Sequence, residues 1–372
     1  MVDLKYHHGT DVHLVRASYH EDATDLVAIA GDKSVEVIQC AEHSVNVIAS
    51  FYLGLRPTAI AWSPQTISPT SSDDWSIELA ISTHDFGLHL LTKSHSDDER
   101  VFHFGGGLTG HHGRINDLSF VGGRERVAQH LASVSDDKNL IVWDLYPSTD
   151  HANSPINSPL PSQSPSGTRA QPTALVIPFA HPLTSVSSHP LTSKEFIVSD
   201  CRGSVFLTDW RKDPNEEDET WHHIVELVHP TALAKAATNR SGYWTGCASW
   251  RRDSLDLVGA VHGPSYALWD ISNLRGGKPF AGGVSFPEGG HRFRWCPTLT
   301  EYFAMSTKSP IHGAAIHLYN VTYPHAQPIV INLAPQPQRV LDFDWIGSKG
   351  IPRLACAVGH DVYIFPISTE DE

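Results

Sequence analysis

Apolar and polar residues alternate in short runs along nearly the whole chain, with turn-forming residues between them. Runs of four to eight residues with this period read as half-buried strands rather than helices. In the clearest stretch, Ile115, Leu118 and Phe120 mark one strand, Leu131 to Ser135 a second and Leu140 to Trp143 a third, with a tight acidic turn at Asp136-Asp137. Three such strands need a fourth to complete a blade-like sheet. The third-strand position recurs at Ile38, Leu91, Trp143, Thr208, Trp269, Tyr319 and Phe365. An independent mark is a first strand closing on a large aromatic residue, at Trp62, Phe120, Trp250, Trp295 and Trp345. The first and fourth units carry Leu14 to Ala17 and Val186 to Pro190 in its place. Second strands fall at Leu26 to Ala30, Ile77 to Ser82, Leu131 to Ser135, Phe196 to Ser199, Leu257 to Val261, Tyr302 to Ser306 and Leu354 to Val358. Both traces give seven units in the same order.

In the third unit, Gly110-His111 precedes the first strand and Trp143-Asp144 closes the third, the pattern of a WD repeat. The expectation is therefore an all-β fold: a seven-bladed WD40 β-propeller formed by residues 1–372 as a single domain. Its units are longer than the ~40–45 residues of a compact WD repeat, so its loops are elaborated. After Phe365 only a short acidic tail remains, too little for an outer strand. Val2, Leu4 and Tyr6 alternate with Asp3 and Lys5, so the N-terminal segment is expected to close the last blade.

The polar residues of the third unit read as a buried structural network. His111 is expected to reach Ser133 or Ser135, with Asp137 and the Trp143 indole completing the chain, because buried polar groups must be hydrogen-bonded. Trp269 and Asp270 form the corresponding WD pair of the fifth unit. Ser, His and Asp so close together also invite a hydrolase reading. A catalytic serine, however, needs an exposed nucleophile, commonly on a Gly-x-Ser-x-Gly elbow, and none lies here. A non-enzymatic protein is expected.

Residues 146–172 are rich in Ser, Pro and Gln and poor in large apolar side chains, so a disordered insertion within blade three is expected before Ala174 to Ile177 resumes the sheet. Its Ser-Pro pairs at Ser154, Ser158 and Ser164 are candidates for proline-directed phosphorylation. A smaller insertion, Pro64 to Ser76, interrupts blade two, and the acidic stretch Asp213 to Glu219 reads as a solvated loop of blade four. Ala232 to Ala237 has the propensity for a short connecting helix.

Composition narrows the picture further. With 40% hydrophobic and 18% charged residues, the chain can bury a large core. The 27 glycines and 25 prolines, scattered throughout, disfavour a helical bundle. A net charge of −14, without a basic cluster, argues against direct nucleic-acid binding. Met-Val-Asp-Leu-Lys lacks the features of a secretory signal and no run is long enough to cross a bilayer, so a soluble, intracellular protein without membrane insertion is expected. Cys40, Cys201, Cys247, Cys296 and Cys356 are odd in number and lie in apolar contexts, which reads as reduced core thiols. The 24 histidines include the pairs His7-His8, His111-His112 and His222-His223, but neighbours on a strand point to opposite faces, so no metal site is expected. Gly105 to Gly107 lack the Lys-Ser/Thr of a phosphate loop, and no cofactor is expected.

Several stretches resemble the nucleoporin-37 family, the small WD-repeat subunit of the Y-shaped nuclear pore scaffold. They are Arg56 to Pro64, Gly110 to Phe120, Ala132 to Asp137, Leu257 to Val261 with Leu268 to Ile271, and Phe293-Arg294-Trp295. The chain departs from that family's pattern at Ser188 and Thr208, where aromatic residues are usual, and in the 146–172 insertion. The resemblance implies a non-enzymatic subunit at the nuclear envelope, serving mRNA and protein transport. It also implies docking on a larger Y-complex nucleoporin with propeller and helical domains, alongside other Y-complex subunits. The alternative is a WD40 adaptor of chromatin or ubiquitin machinery whose acidic central face grips a basic peptide.

Overall fold

The computed structural model describes residues 4–121, 129–147, 169–210, 224–227, 234 and 246–367. Seven four-stranded antiparallel sheets follow one another along the chain as the blades of a β-propeller. Their first strands are Leu14–Ala17, Pro57–Trp62, Ile115–Phe120, Leu183–Ser188, Cys247–Trp250, Arg292–Trp295 and Asp342–Ile346. Each first strand touches the next, and the seventh touches the first, so together they form a closed ring around a central channel.

Burial follows from this placement. Pro57–Trp62 and Asp342–Ile346 are buried at every residue, because one face meets the neighbouring blade and the other meets the channel. The outer strand of blade three, Thr173–Pro178, is exposed at all positions but Ile177. Seven apolar clusters fill the wedges between adjacent blades, the last joining blade seven to blade one. The closing aromatics of the first strands also clamp neighbouring blades. The indole N–H of Trp62 donates to the Arg16 carbonyl, that of Trp295 to Ser249 and that of Trp345 to Arg294, each across a blade boundary.

Blade seven is assembled from both ends of the chain. Leu4–His7 pairs antiparallel with Asp361–Pro366, with Leu4 opposite Ile364 and Tyr6 opposite Val362. The Pro64 to Ser76 insertion folds back onto blade one, where the Ser68 and Thr70 hydroxyls donate to Asp25. All five cysteines are buried and unpaired. Most of the 146–172 insertion, including Ser154, Ser158 and Ser164, lies outside the described residues. The same holds for Val2, Asp3, His222-His223, the Asp213 to Glu219 stretch, and all of 232–237 except Ala234.

Candidate functional site

In blade three the structure brings His111, Ser133, Asp137 and Trp143 together. Ser133 sits mid-strand in His130–Ser135, opposite Ile141, and its hydroxyl oxygen accepts the Trp143 indole N–H at 2.9 Å. His111 Nε2 lies 2.8 Å from the same oxygen, and its Nδ1 lies 2.8 Å from Asp137 Oδ2. With the ring proton on Nδ1, the chain runs consistently from indole to hydroxyl to imidazole to carboxylate. Burial works against the Asp137 charge, but His111 and the His112 N–H outweigh it and hold the carboxyl at about 2. Ser135 serves a different group, its Oγ accepting the Asp137 N–H. Ser133 is fully buried and His111 nearly so, which leaves no path for a substrate to the hydroxyl. Trp269 and Asp270 lie two blades away. The Trp269 indole donates to the Gly277 carbonyl, and Asp270 caps the short turn Ile271–Asn273 by accepting from the Ser272 N–H and hydroxyl.

Blade two holds a related chain, in which His89 contacts Thr83 Oγ1 through Nε2 and His103 through Nδ1. Burial, then the neighbouring His103, lowers the His89 ring to about 4. Burial and Arg252 do the same to His20. Between about pH 6.5, where an unfolded histidine titrates, and pH 4, the folded chain binds fewer protons here than the unfolded one. Stability is therefore lost as pH falls through that window, and these groups take away no more below it. His89 alone should cost about 2 kcal/mol at pH 5 relative to pH 7. Urea melts of wild type and His89→Gln at both pH values check this. The variant should show the smaller pH dependence, and an unchanged dependence would contradict the assignment.

The central channel carries an ionic network that the strand traces pass over. On blade seven, Asp342 is fully buried. Its Oδ2 accepts from Arg16 Nη1 at 2.5 Å and from the Val15 N–H at 3.1 Å, while its Oδ1 accepts from Arg292 Nε at 3.0 Å. Burial opposes its charge, yet Arg16, Arg292 and Arg294 outweigh that and hold the carboxyl below the ordinary range. Two residues on, Asp344 accepts from the Ala17 N–H and the Tyr19 hydroxyl and faces Arg294. The network thus joins blades six, seven and one around the channel wall. Its sequence trace is the pair Arg292-Phe293-Arg294-Trp295 and Asp342-Phe343-Asp344-Trp345. Alternate side chains of a strand point to opposite faces, so the aromatic residues enter the wedges between blades and the opposite charges meet in the channel.

No family profile matches the chain. Over 331 residues, 86% of this chain and 84% of the mouse protein, it is 24% identical to nucleoporin Nup37 of Mus musculus. Nucleoporin Nup37 of Homo sapiens is 24% identical over 335 residues, with the same shares covered. An uncharacterized WD repeat-containing protein of Schizosaccharomyces pombe is 28% identical over 280 residues, 73% of this chain and 60% of that protein. Among solved structures, Raptor of Chaetomium thermophilum matches with a TM-score of 0.66 and 13% identity, over 99% of this chain and 29% of that one, a likeness of fold. Over most of its length, and on a seven-bladed propeller, the chain is thus similar to the Nup37 nucleoporins of two mammals.

Proposed function

We propose that the protein is a non-enzymatic scaffold subunit of the nuclear pore complex. In this reading it works at the nuclear envelope within the Y-shaped subcomplex, docked on a larger nucleoporin that has propeller and helical domains. The chain acts as one propeller domain carrying residues 146–172 as an insertion, and no direct contact with nucleic acid or lipid is required. The observation that carries the proposal is the span of the similarity. It covers 86% of the chain rather than one generic repeat. The blade-three network supports a structural role for His111, Ser133, Asp137 and Trp143, since each polar group is spent on another. The adaptor alternative has the arginines of the channel against it, because an acidic face is what a basic peptide needs.

Affinity capture of the tagged chain from nuclear-envelope extract tests the proposal. A large scaffold nucleoporin should be recovered in near-equal amount, with the tag seen at the nuclear rim. Recovery of histones without pore scaffold subunits would reverse the ranking in favour of the adaptor.

A further inference from the structure

The two mouths of the channel differ in charge. At one, a cavity of about 220 Å³ sets Arg16, Arg252 and Arg294 against Asp117 and Asp344. At the other, a cavity of about 430 Å³ is lined by residues from every blade, among them Arg114, His291, Arg292 and Lys308. Among the described residues that line it, the one carboxylate, Asp136, already accepts from Asn116 Nδ2 at 2.7 Å. Arg114 and Lys308 stand exposed at the rim, while His291 and Arg292 are buried deeper. The His291 ring is 94% buried by its 6% exposure, and its Nδ1 has no hydrogen-bond partner. A buried nitrogen left unpaired is costly, and the residue that carries it lines this cavity.

The surroundings of Lys308 point the same way. Although its surface is open at the rim, confinement by the surrounding protein comes first in lowering its ammonium to about 8. Arg292 and Arg114 push further in that direction, and Asp342 opposes them. This local excess of positive charge stands out in a chain whose net charge is −14. Placing an anion there would relieve the repulsion among the cations and offer an acceptor beside the His291 ring.

We propose that this mouth of the channel binds a compact polyanion of the phosphate class, with Arg114 and Lys308 holding it at the rim and His291 with Arg292 receiving it below. A cavity of this size suits a small ligand with several phosphate groups, and the recessed position of the innermost donors favours a compact group over an extended chain laid across the face.

Isothermal titration calorimetry on the full chain, with inorganic pyrophosphate and inositol hexakisphosphate as probes, tests this. At least one probe should bind with one-to-one stoichiometry. The Arg114→Ala/Lys308→Ala double variant should weaken binding at least tenfold, while Lys349→Ala, an exposed lysine elsewhere, should leave it unchanged. Both rim residues are exposed, so the variant should keep its melting temperature, and imidazole nitrogen NMR should show His291 shifting as the probe is added. Failure of both probes to bind wild type at millimolar concentration would overturn the proposal. So would binding that ignores the double variant, or binding restricted to phosphorylated peptides.

Discussion

Asp342→Ala should lower the unfolding free energy by about 5 kcal/mol, the upper end of what removing one partner from a buried ion pair costs. The carboxylate is fully buried and serves two arginines and one backbone N–H, from blades one and six. Without it, Arg292 loses its bonded carboxylate and Arg16 keeps only the longer carboxylate contact, with Asp117 at 3.8 Å, and burial there admits little water to replace the lost acceptor. Folded domains are stable by only about 5–15 kcal/mol, so much of the variant should be unfolded or insoluble at physiological temperature. Asp97→Ala is the matched control. It removes an ion pair of similar length, 2.8 Å to Arg100, on the exposed surface, where such pairs contribute close to nothing measurable. Urea denaturation midpoints of the two variants should therefore differ widely. Equal losses would show that the channel network does not hold the ring together.

Deleting residues 1–10 should be nearly as damaging, and far more so than deleting 368–372. The N-terminal strand supplies the outer edge of blade seven, and its Leu4 and Tyr6 pack on the cluster between blades seven and one. The Tyr6 hydroxyl also donates to Glu36 of blade one at 2.6 Å, and the buried His8 anchors its N–H on the His360 carbonyl. Losing these contacts opens the ring at a joint between strands far apart in the chain and exposes Asp361–Pro366 as an unpaired edge, which invites aggregation. Thermal melts of the two truncations, with light scattering, should show a large drop and early aggregation only for the N-terminal deletion. Equal effects would mean that this strand does not close the propeller.

The repeat was legible in the sequence because each blade is a local object. Trp143, Trp269 and Tyr319 all fall in third strands; Trp62 and Trp295 end first strands, and Trp345 stands one residue before the end of its own. Even the fourth unit, which lacks that aromatic, forms its first strand at Leu183–Ser188. The choice between Ser133 and Ser135 was not legible. Both point to the same face of one strand, and only the position of the His111 loop against Trp143 decides which hydroxyl meets the imidazole.

The number of blades, the order of their strands and the residues of their buried faces belong to the sequence itself, since a two-residue period is written within a few positions of chain. The charged channel and its unequal mouths came only from the tertiary structure. Arg16 and Asp342 stand 326 positions apart, and nothing local in either segment records that closing the ring brings them within 2.5 Å.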